Sequence, residues 1–109
     1  MTKTERRKVK TINYLEWIEE WYERQCNEDW EHTNGIKLDT LDNPGWKLEI
    51  SLEETELEEK HFKQIDIERS ETDWLHCRVE DCVFKGYGGV KNLQEIIRTF
   101  KEWTELETK

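Results

Sequence analysis

The chain has 109 residues, 39% of them charged, and a formal net charge of −9 at pH 7, a length that allows one domain but not two. So high a charged fraction approaches that of disordered chains, but six Trp, three Tyr and three Phe predict an ordered domain with a small aromatic core. The acidic charge excludes nucleic-acid binding by the folded part, because such a surface repels phosphate groups.

The first ten residues differ in charge from the rest of the chain. Residues 1–10 contain five basic side chains and one acidic one, whereas the other 99 residues contain 12 basic and 25 acidic ones and carry −13. We predict a basic, flexible tail over residues 1–10, followed by a single domain over residues 11–109. An arm that touches nucleic acid or the acidic domain itself is the alternative. The domain is expected to be steered toward a basic partner surface.

A helix is predicted from about Tyr14 to Cys26. Asn13 and Glu16 match the capping-box pattern at its start. Apolar residues then recur at helical spacing and glutamates occupy the opposite side. The apolar stripe consists of Tyr14, Leu15, Trp17, Ile18, Trp21 and Tyr22, and the glutamates are Glu16, Glu19, Glu20 and Glu23.

Five strands are expected to follow. Ile36–Leu41 and Trp46–Leu52 alternate with a period of two around Asp42-Asn43-Pro44-Gly45, which predicts a β-hairpin. Residues 53–61 are acidic, with Leu57 as their one apolar residue, and are predicted to form a loop. Further strands are predicted over Phe62–Ser70, Trp74–Val79 and Cys82–Tyr87.

A final helix is predicted after a glycine-rich segment. Gly86, Gly88 and Gly89 are interpreted as a flexible joint, and Asn92 with Glu95 matches a second capping box. The helical stripe consists of Leu93, Ile96, Ile97, Phe100 and Trp103. The elements together predict an α+β fold: an antiparallel sheet of about five strands, with an N-terminal and a C-terminal helix packed on one face.

The cysteine count and the hydropathy pattern predict a compartment. Three cysteines, an odd number, favour a reducing environment over a disulfide framework. The first apolar cluster, at Ile12, is interrupted by Asn13 and several glutamates, unlike a signal peptide. No apolar run is long enough to span a bilayer. We therefore predict a cytoplasmic protein without membrane contact.

The cysteines and histidines do not match the spacing of a metal or thiol site. There is no C-x2-C, H-x3-H or H-E-x-x-H pattern. His76 and Cys77 are adjacent on a predicted strand and point to opposite faces, and Arg78 likewise points away from Cys77. No catalytic residue, metal or cofactor is predicted. A small ligand-binding domain, a thiol enzyme and a scaffolding module remain alternatives.

The segment between the first helix and the second predicted strand is dense in aromatic and acidic residues. Its simplest interpretation is a helix exit and a hairpin with Trp46 in the core. The alternative is a partner-binding edge, because aromatic anchors dominate protein interfaces. The predicted partner-binding residues are Asp29, Trp30, Glu31, Asp39, Asp42 and Asn43. If Ile36 and Leu38 face the helices, alternation places Asp39 on the outer face. The acidic residues 53–59 are the next candidate.

Two strings in this segment carry a family resemblance. Asp29-Trp30-Glu31-His32 and Thr40-Leu41-Asp42-Asn43-Pro44-Gly45-Trp46 are supported by Asp73-Trp74 and Val79-Glu80-Asp81. On these strings the chain resembles the bacterial immunity protein 53 family over residues 14–103. One departure is Cys82, where glycine is expected because it suits a left-handed turn position.

The resemblance implies an antidote encoded beside a polymorphic toxin. Such antidotes bind their cognate toxin stoichiometrically in the cytosol, so no enzymatic activity is expected. Many such toxins are nucleases, whose electropositive surfaces an acidic inhibitor would match. We expect a monomer or a weak homodimer. The resemblance assigns no residue to the contact.

Overall fold

The computed structural model describes residues 11–109. The predicted basic tail over residues 1–10 lies outside the described residues. Among the described residues no helix is both long and apolar enough to cross a membrane.

The described part of the chain contains three helices: α1 (Tyr14–Gln25), α2 (Trp30–Thr33) and α3 (Leu93–Glu107). The first cap is confirmed, since the Glu16 N–H donates to the Asn13 Oδ1 at 2.9 Å. The predicted second capping box is wrong: the Asn92 side chain makes no hydrogen bond to the backbone of the first turn and instead donates to carboxylates. The short α2 was not predicted from the sequence.

Within residues 11–109 five strands form one antiparallel sheet: β1 (Ile36–Leu41), β2 (Gly45–Ser51), β3 (Ile65–Glu68), β4 (Trp74–Glu80) and β5 (Val83–Gly88). Their spatial order is β1-β2-β5-β4-β3, so β1 and β3 are the outer strands of the sheet that these residues form. The predicted hairpin is confirmed, with Leu38 opposite Leu48 and Leu41 opposite Gly45. β3 is shorter than the predicted strand because only Ile65–Glu68 pair with β4. The predicted α+β fold is confirmed.

The helices lie on one face of the sheet, and an aromatic core joins the two layers. The Phe100 ring on α3 lies 5.0 Å from both the Trp21 ring on α1 and the Phe84 ring on β5. All three side chains are fully buried. The Trp21 and Phe100 rings meet edge to face, an arrangement that adds to the free energy gained from area burial alone. The small aromatic core predicted from composition is confirmed.

The glycines before α3 lie where neighbouring segments approach the backbone closely. Gly86 and Gly88 belong to β5, so their interpretation as a flexible joint is wrong. A Cβ atom on Gly86 would lie 2.4 Å from the Ile96 Cγ2. Neither residue has a positive φ. Glycine is needed at position 86 because α3 rests directly on the strand there.

Replacing Gly86 should therefore destabilise the fold through overlap with α3. We expect Gly86→Ala to lower the free energy of unfolding by about 1–3 kcal/mol, as other overpacked cores do. Gly35→Ala is the matched control, since nothing lies within 4 Å of its Cβ position. Its stability should be unchanged or raised by up to about 1 kcal/mol. Urea denaturation followed by Trp fluorescence measures both, and equal midpoints would contradict the close-approach argument.

The turn between β4 and β5 places non-glycine residues in the left-handed region. Glu80 pairs with Val83, so Asp81 and Cys82 form a two-residue connection, with φ of 55° and 61°. Two central residues of positive φ define a type I′ turn, which favours Asn or Asp followed by Gly. The expectation of a left-handed position at residue 82 is confirmed, and the turn keeps this geometry with cysteine in place.

Cys82→Gly should stabilise the protein. A left-handed non-glycine residue costs about 1–2 kcal/mol, but the half-buried Cys82 also packs against the core, and that contact would be lost. We expect a net gain of about 0.5–1 kcal/mol in the free energy of unfolding. Cys82→Ala removes the thiol and keeps the strained geometry, so it should lose stability. A Cys82→Gly variant less stable than Cys82→Ala in thermal unfolding would refute the strain argument.

Candidate partner-binding surface

The acidic charge of the molecule is concentrated in the first half of the described chain. Residues 11–60 contain 15 acidic and 4 basic side chains, a charge of −11, whereas residues 61–109 contain 10 and 8, a charge of −2. Every ion pair formed within residues 11–109 joins two residues of the sequence range 66–105. Among the described residues, the charge without an ion-pair partner therefore belongs to α1, the α2 region, the β1–β2 hairpin and residues 53–60.

The acidic residues of the second half are largely engaged internally. Arg69 donates to Asp73 at 2.9 Å and 3.0 Å and to Glu95 at 2.6 Å, which joins the β3–β4 turn to the start of α3. Asn92, which is 7% exposed, also donates to both carboxylates. The Arg69 guanidinium and the Asn92 amide hold the pKa of Asp73 below its usual range. Partial burial raises the pKa of Glu95, but hydrogen bonds from Arg69 and Asn92 outweigh it, so the net shift is downward.

The outer side of α1 presents carboxylates because its inner side is used for packing. Ile18 and Trp21 are buried. The four glutamates predicted to face solvent, Glu16, Glu19, Glu20 and Glu23, are all exposed. Together with Tyr22 and Cys26 they line a shallow trough.

Residues 53–59 are held against the end of α1 by indole groups. The Trp21 Nε1–H donates to the Glu56 carboxylate at 3.1 Å, and the Trp30 Nε1–H donates to the Glu53 carbonyl at 2.8 Å. Leu57, the apolar residue of this segment, is fully buried in the core. Glu53, Glu54, Glu58 and Glu59 are exposed. An irregular segment thus becomes a fixed acidic surface, and the loop prediction for these residues is confirmed.

Asp29 and Glu31 lie beside the acidic residues 53–59, because Trp30 between them donates to the Glu53 carbonyl. The Asn27 Oδ1 accepts the Asp29 and Trp30 N–H groups, and the Glu31 carboxylate accepts those of Asn27 and Glu28 at 3.0 Å and 2.8 Å. Hydrogen bonds from backbone N–H groups, including that of Glu31 itself, lower the pKa of this carboxyl. Asp29 is exposed.

Trp30 does not present its ring to solvent. It is 2% exposed, and its ring contacts those of Trp21 and Tyr22 at 6.3 Å and 6.1 Å. The expected surface aromatic at this position is therefore a core residue, because its indole N–H is satisfied inside the fold. Partner binding by the six residues named from the sequence stays a prediction.

The remaining predicted residues lie at the far end of β1. Asp39 is exposed on the face opposite Leu38, as expected, and its carboxylate accepts the Thr40 N–H at 2.8 Å. Asn43 lines a depression with Trp74 and His76. A strand rises about 3.3 Å per residue, so Asp42 lies roughly 20 Å from Gly35 along β1. The structure thus divides the predicted residues into two groups. Asp29, Trp30 and Glu31 lie with the exposed carboxylates of α1 and residues 53–59, which we call the α1 end. Asp39, Asp42 and Asn43 lie at the β1–β2 turn, which we call the hairpin end.

The described histidines and cysteines do not converge on one site. Within residues 11–109 no group of three or more His, Cys, Asp or Glu side chains is placed to hold a metal ion. The His76 nitrogens lie 2.7 Å from the Asp66 Oδ1 and 3.1 Å from the Glu68 Oε2, on the open face of the sheet. Cys77 is 1% exposed on the opposite face, and burial raises the pKa of its thiol to about 12. Arg78 lies over the Tyr87 ring on the open face, so it does not activate Cys77.

Cys77 should therefore be protected from alkylation. We expect iodoacetamide at pH 8 to leave Cys77 unmodified in the native protein, because the thiolate is the reactive form and the residue is inaccessible. All three cysteines should react in denaturant. Peptide mass spectrometry identifies the modified sites. Native labelling of Cys77 at the denatured rate would reopen the thiol-enzyme alternative.

Comparison with known proteins assigns the chain to a family. The model of the immunity protein 53 family matches residues 15–105. The chain belongs to this family. No curated protein and no solved structure matches it. The resemblance noted from residue strings is thus confirmed over most of the chain, and the family's name supports an immunity function in general terms.

Sequence reasoning did not find an apolar groove that adjoins the acidic trough of this family member. It is lined by residues from α1, β1, β2 and α3. The available signal was the width of the apolar stripe on α1, which includes Leu15 and Tyr22 in addition to the residues needed for packing. Leu15 is 65% exposed and Tyr22 is 39% exposed.

Proposed function

We propose that this member of the immunity protein 53 family binds and neutralises a cognate toxin domain through a stoichiometric protein–protein interface. Family membership over residues 15–105 carries the proposal. The charge of −11 over residues 11–60 supports a basic partner surface. We further propose that the protein acts in the cytoplasm, where a toxin must be met before it harms the producing cell.

The α1 end is the favoured contact surface. Carboxylates from α1, from Asp29 and from residues 53–59 are exposed there, and indole hydrogen bonds hold the three segments together. Because the backbone that carries these carboxylates is already fixed, binding Arg or Lys orders their side chains without also ordering the chain. A nuclease that holds phosphate groups with basic residues is the kind of toxin that such a surface would match.

A pair of double charge reversals tests this proposal. Glu20→Lys with Glu23→Lys should weaken the 1:1 complex with the toxin encoded beside this gene by about 2 kcal/mol, or about 30-fold. Glu71→Lys with Glu102→Lys changes the net charge equally at exposed residues of the second half. This control should bind nearly as the wild type does. Isothermal titration calorimetry at low salt measures both, and growth rescue on co-expression reports neutralisation.

Three outcomes would count against the proposal in different ways. If the wild-type protein forms no complex with the toxin and does not rescue growth, toxin neutralisation is refuted. If both charge variants weaken binding equally, net charge matters and the α1 end is not the contact. If only Asp39→Lys with Asp42→Lys weakens binding, the hairpin end is the contact surface.

A further inference from the structure

An open apolar groove lies between α1 and the edge strand β1. Its volume is about 460 Å³. Leu48 and Ile36 lie on its sheet side, and Leu15, Ile18 and Tyr22 lie on its helix side. Leu38 also lines it and is 52% exposed, although its cross-strand neighbour Leu48 is buried. Among residues 11–109, therefore, no element covers the face of β1 that is turned toward the helices.

The groove exists because α1 packs on α3 rather than over the sheet edge. The Trp17 and Trp21 rings contact Phe100 of α3 at 6.0 Å and 5.0 Å. α3 in turn lies over β4 and β5, where Gly86 admits Ile96. The helical layer thus ends before β1, and Leu38 remains a core-type residue without a covering element among residues 11–109.

The backbone of β1 offers hydrogen-bonding groups along the same edge. Within the described residues β1 pairs with β2 alone. The Gly35 carbonyl accepts the Ser51 N–H at 3.0 Å. By alternation along an antiparallel pair, Ile36, Leu38 and Thr40 direct their N–H and C=O groups away from the sheet. The Thr40 N–H is taken by the Asp39 carboxylate, which leaves the Ile36 and Leu38 groups for an added strand.

The rim of the groove is acidic. Glu19 lines the groove, and it shares the adjoining trough with Glu16, Glu20 and Glu23. A second copy of this chain would bring an equally acidic α1 to the same edge, so like charges disfavour self-pairing. A segment with Arg or Lys beside an apolar side chain would satisfy both the rim and the groove.

We propose that the cognate toxin adds an extended segment along β1 as a sixth strand. An apolar side chain of this segment fills the groove against Leu38 and Leu48, and flanking Arg or Lys side chains bind Glu19 and its neighbours on α1. Strand addition of this kind draws affinity from main-chain hydrogen bonds and specificity from pockets for alternate side chains. The inference rests on the proposed function and names the part of the surface that carries recognition.

The test uses the full chain and the toxin domain encoded beside its gene. Leu38→Lys places a cation in the groove, where it would be desolvated and would repel the basic segment. Leu106→Lys is the matched control, because Leu106 is 64% exposed on α3 and does not line the groove. Leu38→Lys should weaken binding at least about 30-fold, as loss of an interface hot spot does. Leu106→Lys should change it less than about threefold.

Hydrogen exchange supplies a second readout that depends on the backbone. The Ile36 and Leu38 amides should exchange rapidly in the free protein and become protected in the complex. The reciprocal probe is Leu38→Pro, which removes an outward N–H and spares the ladder to β2. It should weaken binding as strongly as Leu38→Lys does.

Each other result overturns the inference in an identifiable way. If the wild-type protein binds the toxin but Leu38→Lys binds equally well and the two amides stay unprotected, strand addition at β1 is wrong while neutralisation stands. If the wild-type protein does not bind, the proposed function itself fails. Dimerisation of the free protein that Leu38→Lys abolishes would make a second copy the occupant. Amides protected in the free protein, and released on removal of residues 2–10, would assign the groove to the chain's own first residues.

Discussion

Every buried indole needs an acceptor for its N–H, and this need determines how the irregular part of the chain is arranged. Trp21, Trp30 and Trp103 donate to Glu56, to the Glu53 carbonyl and to the His61 carbonyl at 2.8–3.1 Å. A buried donor without a partner costs about 1–3 kcal/mol. Residues 53–61 supply all three acceptors. These hydrogen bonds fix the segment against the helices, although it forms neither a helix nor a strand.

The distribution of charge follows from the same arrangement. Residues 53–59 bury Leu57 and point most of their glutamates outward, while α1 buries Ile18 and Trp21 and does likewise. These carboxylates remain close together despite their mutual repulsion, because the hydrogen bonds from Trp21 and Trp30 hold residues 53–59 in place. The second half has eight basic side chains against four in residues 11–60, which makes its net charge smaller, and Arg69, Lys85 and Lys101 pair there with nearby carboxylates.

The two long helices and the strands were predictable from the sequence because their patterns are local, whereas the short α2 and the candidate surface depend on long-range placement. The β1–β2 hairpin follows from a period of two around Asn-Pro-Gly, and α1 follows from its stripe and the Asn13 cap. Asp29 and Asp42 are close in sequence, yet the extended β1 carries them to opposite ends of the sheet. The burial of Trp30 and the groove beside Leu38 depend on where α1 meets α3, which no local pattern encodes. The strained Cys82 was recognisable because a two-residue hairpin restricts φ directly.

The hydrogen bond between Asp39 and the Thr40 N–H has a consequence for how long a strand β1 can accept. An incoming chain finds outward donors at Ile36 and Leu38 but meets a carboxylate opposite Thr40, where its own carbonyl would be repelled. Strand pairing is therefore confined to the half of β1 nearest Gly35. A short added strand can pair there, whereas a long one cannot pair along the whole of β1. A sheet edge that ends in this way disfavours the continuous stacking of identical copies through β1.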